Sequence, residues 1–216
     1  MGTVRFTITM SLDGYVAGPD QSTDAPLGVG GERLHEWFVG TRYFRATHGT
    51  DGEGGETGPD DDVARETYEN VGATIMGRNM FGPVRGSWGD GSWRGWWGEE
   101  PPFHHPVFVL THHAREPLEM EGGTTFHFVT EGPAAALAQA RAAAGERDVL
   151  VSGGADVAHQ FLAAGLVDQM DLHVVPLLLG GGERLFEETG GAQSRFEPVR
   201  VVCTPAATHV RYRRAR

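Results

Sequence analysis

The sequence predicts an α/β fold, a mainly parallel sheet of about eight strands with flanking helices and an antiparallel hairpin at its C-terminal end. Three observations predict it. Residues 149–182 read as strand, Gly turn, helix and strand: an apolar run from Val149 to Val151, the pair Gly153-Gly154, then Val157, Phe161, Leu162 and Leu166 on one helical face. Asp168 breaks that helix, and a second apolar run, Met170 to Leu179, ends in Gly180, Gly181 and Gly182. Along the rest of the chain apolar strand-like runs alternate with helical patterns, as parallel sheets require. Finally, Phe196 to Cys203 and Thr208 to Tyr212 are two strand-like runs joined by a Pro turn, which reads as a hairpin.

The elements follow in order. Val4, Phe6, Ile8 and Met10 alternate and mark a first strand, and Ser11 to Gly18 is a loop with two glycines. Gly28 to Gly31 is a further loop, and Leu34 to Phe38 forms a short helical turn. Between Thr47 and Pro59 lies a Gly/Glu/Asp-rich stretch, expected to be a flexible insertion or a lid. Asp60 to Val71 is helical, and Asp60, Asp61 and Asp62 suit the dipole at its start. Ala73 to Met76 is a buried strand, followed by Gly77-Arg78-Asn79 and a short helix. Residues 83–102 hold all but one of the tryptophans among glycines and prolines. That stretch is either a wall over a flat ligand or a surface loop pinned by aromatic packing. Pro106 to Leu110 and Thr124 to Val129 are strands, and Pro133 to Ala144 is a helix with Pro near its start and Gly145 near its end.

Composition bounds the function. At 216 residues the chain suits one well-buried domain over 1–216, with loop insertions near 19–59 and 83–105. A net charge of −11 argues against nucleic acid or an anionic membrane as partner. All 18 cationic side chains are Arg, which excludes Schiff-base chemistry and the Lys-dependent phosphate loop. A lone Cys203 in an apolar run reads as a buried, inert thiol. The N-terminus lacks a signal-like segment and no apolar run approaches about 18 residues, so a soluble cytoplasmic protein is expected.

Three loops follow strands where ligands collect in open α/β sheets. Gly77-Arg78-Asn79 opens a helix, and Arg78 can clamp a phosphate. Thr111-His112-His113 offers a hydroxyl and two imidazoles. Gly153-Gly154-Ala155 either cradles a cofactor's phosphates or is a tight turn with no ligand. Asp13, in the Gly-flanked loop after the first strand, either orients or protonates a nitrogen heterocycle or closes an Asx-type turn before Gly14. The pairs His104-His105 and His112-His113 are sequence neighbours that point to opposite faces of a strand, so no metal is expected. Neither G-x-G-x-x-G after the first strand nor G-x-S-x-G is present, which sets aside the ordinary Rossmann fingerprint and a Ser hydrolase.

Taken together, SLDGYVAG at 11–18, GGERLHEWF at 30–38, IMGRNMFG at 75–82, PPFHHPVFVLTHH at 101–113, the whole of 151–182 and RLFE at 184–187 form an ordered set. The set resembles the dihydrofolate-reductase-like family that includes the C-terminal reductase domain (RibD C-terminal type) of bacterial riboflavin-biosynthesis deaminase–reductase proteins. The resemblance implies an eight-stranded, mainly parallel sheet and NADPH as cofactor. It places Gly77, Arg78 and Asn79 on the cofactor's phosphates, and Thr111 and His112 near the adenosine 2′-phosphate. Gly153, Gly154, Ala155, Asp156 and Val157 would cover the pyrophosphate and nicotinamide ribose. Val16 and Ala17 would border the nicotinamide, with Leu12 and Asp13 beside the substrate. Relatives are commonly dimeric, so a homodimer is expected. The chain has neither the H-x-E nor the P-C-x-x-C of the zinc deaminase domain that usually precedes this one, and Tyr15 stands where a Lys is frequent.

The function expected is an NADPH-dependent reductase of the 5-amino-6-(5-phosphoribosylamino)uracil reductase type. Asp13 would be its acid, and Trp37, Trp88 and Trp93 would wall a flat heterocycle. The acceptor is a pyrimidine, a pterin or another small conjugated molecule. The alternative is an NADPH-binding sensor without turnover.

Overall fold

The protein is described by a computed structural model that covers residues 2–48, 54–82, 86–187 and 195–215. Among the described residues eleven strands and six α-helices follow one another: β1 Val4–Ser11, β2 Tyr15–Ala17, α1 Glu36–Val39, α2 Arg42–Thr47, α3 Pro59–Tyr68, β3 Val71–Gly77, α4 Arg78–Phe81, β4 Pro106–Leu110, β5 Leu118–Glu119, β6 Thr125–Val129, α5 Pro133–Ala144, β7 Asp148–Val151, α6 Ala155–Ala163, β8 Gln169–Val175, β9 Glu183–Arg184, β10 Phe196–Cys203 and β11 Thr208–Arg214. A 3₁₀ turn, Gly31–His35, leads into α1.

The main sheet has nine strands in the order β10-β11-β8-β1-β7-β3-β4-β6-β5. Its six central strands, β8 to β6 in that order, run parallel. The hairpin β10–β11 joins β8 antiparallel, at the end where an antiparallel pair was expected. The count exceeds eight because a two-residue edge strand, β5, adds to β6. A separate pair joins β2, inside the loop read over Ser11 to Gly18, to β9, where the sequence predicts no element. The strand predicted over Met170–Leu179 stops at Val175, because Pro176 has no N–H for the ladder and the chain beyond is held by Asp13.

The sheet's two faces are packed differently. Val4 and Phe6 on β1, Ile75 on β3, and Val149 and Val151 on β7 form the large core under α5 and α6. On the opposite face two smaller clusters cover separate halves. Met76, Phe81, Val107, Val109 and Phe126 lie beneath the tryptophan-rich loop. Trp37 of α1, Val63 and Ala64 of α3, and Ala207 form the other. β1 buries polar side chains on that second face: Arg5, Thr7, Thr9 and Ser11 are all buried.

Two expectations change here. Cys203 is exposed, because β10 is an edge strand and its side chains look outward. Of the acidic stretch between Thr47 and Pro59, residues 49–53 lie outside the described residues. The described remainder is pinned rather than loose, since Glu56 exchanges backbone hydrogen bonds with Gly40 and Arg42.

Candidate functional site

The carboxyl ends of the parallel strands form one rim, and two turns far apart in sequence meet on it. The Gly77 N–H donates to the Gly153 carbonyl at 2.7 Å. A Cβ on Gly77 would lie 2.9 Å from Val157 Cγ2 and 3.5 Å from the Gly154 nitrogen. Glycine is therefore what lets the end of β3 lie flat against the start of α6. Gly153 itself has φ +106°, and the peptide joining it to Gly154 is cis. No side chain caps the start of α6, so the first N–H groups of that helix remain available at the rim.

Beside this contact opens a cleft of about 350 Å³, lined by Gly18, Pro19, Asp20, Gln21, Asn79, Gly182 and Glu183. A Cβ on Gly154 would come within 4.0 Å of the Glu183 carboxylate, so the Gly pair borders the same cleft. Gly182, at φ +120°, passes so close to Ala17 that a Cβ would sit 2.0 Å from its carbonyl oxygen. The loops after β2 and after β8 are thereby locked together at the mouth.

Arg78, the first residue of α4, turns toward the tryptophan-rich loop. Its guanidinium lies 3.6 Å from the Trp88 ring centroid, and Nη1 donates to the Gly82 carbonyl at 3.0 Å. Arg115 approaches the same ring at 5.1 Å and donates to the Gly91 carbonyl at 2.8 Å. Arg78 Nε and Arg115 Nη1 are buried without a partner, and no carboxylate among the described residues pairs with either side chain. Burial, and then the Arg115 charge, lower the pKa of Arg78. Trp88 Nε1 donates to the His113 carbonyl at 2.7 Å, which joins the Thr111–His113 loop to this cluster. Thr111 Oγ1 accepts from the His113 N–H at 3.1 Å, and His112 is exposed.

Asp13 is engaged otherwise than a proton donor would be. Its carboxylate accepts from Ser11 Oγ at 2.6 Å, from the Leu179 N–H at 3.1 Å and from the Gly180 N–H at 2.7 Å. The Ser11 hydrogen bond, opposed by desolvation and reinforced by the two backbone donors, holds its pKa down at about 2. Arg184 completes the clamp, donating to the Asp13 carbonyl and lying 4.4 Å from the Tyr15 ring centroid. Asp13 thus ties the loop after β8 to the loop after β1.

The predicted residues therefore divide. Gly77, Arg78, Asn79, Gly153, Gly154, Ala155 and Val157 come together on the rim, with Thr111 joined to them through Trp88. Ala17 edges the cleft, Val16 is a core residue and Leu12 is exposed. Asp156 is exposed in the first turn of α6. The three-tryptophan wall does not form. Trp37 is buried under α3, with Nε1 donating to Thr9 Oγ1 at 3.2 Å, whereas Trp88 and Trp93 pack over the other half of the face. Trp93 Nε1 donates to the Phe81 carbonyl at 2.9 Å, pinning the end of α4. Arg115 and Glu183 are not among the residues the sequence singles out, and Arg184 figures only within the RLFE motif. Arg115 carried one usable signal, a cation just after a strand-end loop.

A family model described as the RibD C-terminal domain matches residues 2–210. The chain belongs to this family. Among solved structures, one neighbour is a Shewanella sp. PV-4 protein assigned to riboflavin biosynthesis, at 24% identity and TM-score 0.63, with 99% of each chain covered. A deaminase/5-amino-6-(5-phosphoribosylamino)uracil reductase from Thermotoga maritima matches at 14% identity and TM-score 0.54; the RibD-family domain described here spans 57% of that protein. Dihydrofolate reductase from Enterococcus faecalis, complexed with NADP(H), matches at 14% identity and TM-score 0.52 over 100% of this chain and 98% of its own. These likenesses establish the dihydrofolate-reductase-like fold. No curated protein matches the sequence.

Proposed function

We propose that the protein is an NADPH-dependent reductase acting on a small conjugated heterocycle, of pyrimidine or pterin type. The observation that carries this reading is the contact of Gly77 with Gly153, which sets Arg78 and the start of α6 on one rim. The residues present fit a phosphorylated dinucleotide. The bare Gly77–Gly153 surface admits close backbone approach, and the N–H groups of α6 favour a pyrophosphate. Two half-buried guanidiniums with unpartnered nitrogens and no carboxylate suit a phosphate monoester, for which Arg is the better fork.

Gly77, Asn79, Gly154 and Ala155 would hold the pyrophosphate, and Arg78 and Arg115 the adenosine 2′-phosphate. Bound there, the cofactor supplies a hydride. The chain's own contribution is position: Asp13 and Arg184 fix the loops at the cleft mouth, and Gly182 closes them on Ala17. Asp13, already ionised and saturated with donors, is assigned to this positioning and not to proton transfer.

The test is Arg78→Ala with Arg115→Ala beside it. Each should weaken NADPH relative to NADH by a charged hydrogen bond's worth, roughly 1.5–3 kcal/mol. Equal weakening of both cofactors, or of neither, removes the assignment. Absorbance at 340 nm with aminopyrimidines, dihydropterins and quinones reads turnover; tight NADPH binding with no oxidation by any of them would favour a sensor.

A further inference from the structure

On the α1–α3 side of the sheet runs a line of hydrogen-bonded imidazoles that the cleft does not use. Thr7 Oγ1 lies 3.1 Å from His173 Nε2, His173 Nδ1 2.8 Å from His209 Nδ1, and His209 Nε2 2.8 Å from Asp60 Oδ1. A neutral imidazole has one donor and one acceptor nitrogen. The Asp60 carboxylate therefore sets the direction of the whole line. His209 Nε2–H donates to Asp60, His173 Nδ1–H donates to His209 Nδ1, and the Thr7 hydroxyl donates to His173 Nε2. Every position is then used once. An extra proton can enter without parting the rings only at His173 Nε2, where Thr7 must turn its hydroxyl away. A second extra proton would place hydrogens on both Nδ1 atoms and break their contact.

At His173, where that proton enters, no carboxylate is hydrogen-bonded to the ring; Asp60 touches the line only at its far end, through His209. Asp171 on β8 is committed to Arg211 on β11 at 2.7 Å and to Arg5 on β1 at 3.9 Å. Glu66 on α3 is committed to Arg200 on β10 and to Arg211. Asp60 already serves His209 and Thr204. His35 on the 3₁₀ turn, itself an imidazole, is a further titratable group that acts on His173. Burial, with His209, His35 and Arg211 adding to it, holds His173 well below the usual imidazole range. Burial takes His35 down to about 4. The same rings hold the overlying layer. Trp37 of α1 packs against His173 and His209 with centroids 4.7 Å away in each case, and Asp60 fastens the start of α3. A cavity of about 20 Å³, bordered by His173, His209, Glu66 and Arg200, is the size of one water.

We propose that this imidazole cluster is an acid-triggered latch: neutral, it holds the 3₁₀ turn, α1 and α3 on the sheet, and proton uptake releases them. The sign follows from linkage. Released imidazoles protonate near pH 6.5, whereas His35 and His173 in the closed layer resist protonation. The closed layer is favoured above that pH and loses ground as pH falls through it.

Hydrogen exchange of residues 31–47 and 59–68, corrected for intrinsic rates, tests this between about pH 7.5 and pH 4.5, with α5 as the internal reference for global unfolding. The opening constant of the layer should rise as pH falls below about 6.5, by about one decade per pH unit for each imidazole that gains a proton on release, His35 and His173 among them. His173→Gln and His35→Gln should each remove about one decade from that slope, whatever they do to opening at neutral pH. His35 has no hydrogen bond among the described residues, so its variant stays informative should His173→Gln fail to fold. A flat wild-type slope, a slope unchanged in the folded variants, or opening that α5 shares equally would overturn the proposal.

Discussion

Single residues decide whether the rim can work, and Gly77 is the sharpest case. A methyl there meets Val157 Cγ2 at 2.9 Å, tighter than real contacts allow. Gly77→Ala should cost about 1–3 kcal/mol through overpacking. It should also weaken NADPH, and Val157→Ala in the same chain should restore stability before affinity, read by thermal melts with and without cofactor. Asp13 gives a prediction of the opposite kind. Its folded pKa of about 2 lies below the ordinary carboxylate value, so its contribution to stability is complete above roughly pH 4. That contribution is lost only as pH falls through about 2. Asp13→Asn should therefore lower activity by loosening the loop at Leu179, yet leave the shape of the pH–rate profile between about pH 5 and 9 unchanged. A lost limb in that profile would return the proton-donor role to Asp13. The glycines were legible in the sequence because a strand end followed by Gly and a helix has few other uses. Trp37 was not, since an indole on a short helical turn reads alike whether it faces a ligand or a buried imidazole pair. Arg115 owes its place to Trp88, a tertiary neighbour that no local pattern reveals.

Among the elements, the tryptophan-rich loop is a cover for one half of a sheet face. Trp97 lies against Phe103 and Phe126, Trp88 against Phe81 and Phe128, and Trp93 holds the end of α4 through Phe81. Of the two readings open from the sequence, aromatic pinning is what these contacts describe. Trp93→Ala should destabilise by about 2–3 kcal/mol, below the ~3–5 typical of a fully buried ring because Trp93 is only half-buried. The measurement is a denaturant midpoint at constant slope. Long periodic elements such as α5, α6 and the central strands were legible because burial imposes their spacing. β2, β5 and β9 were not. Each is two or three residues long and exists because a partner reaches it, through the Tyr15–Arg184 pairing for β2 and β9 and against Phe126 for β5.

For the whole molecule, Arg5 joins layers that the sheet alone would leave separate. Its guanidinium donates to the Glu66, Thr67 and Glu69 carbonyls at the end of α3 and pairs with Asp148 and Asp171. Arg5→Met should cost about 3–5 kcal/mol, because two carboxylates and a helix end lose a buried partner. In a chain of this size that is roughly a 6–20 °C fall in melting temperature. The sheet order was only partly legible: strand type and the antiparallel hairpin follow from local pattern, but which strands adjoin does not. β1 illustrates the point, lying between β7 and β8 rather than beside β3. During synthesis this first strand has no partner to zip with until residues 148–175 have left the ribosome. A nascent polypeptide therefore carries β1, unsatisfied and partly apolar, until those residues are made. Shielding by a chaperone would be needed longest there.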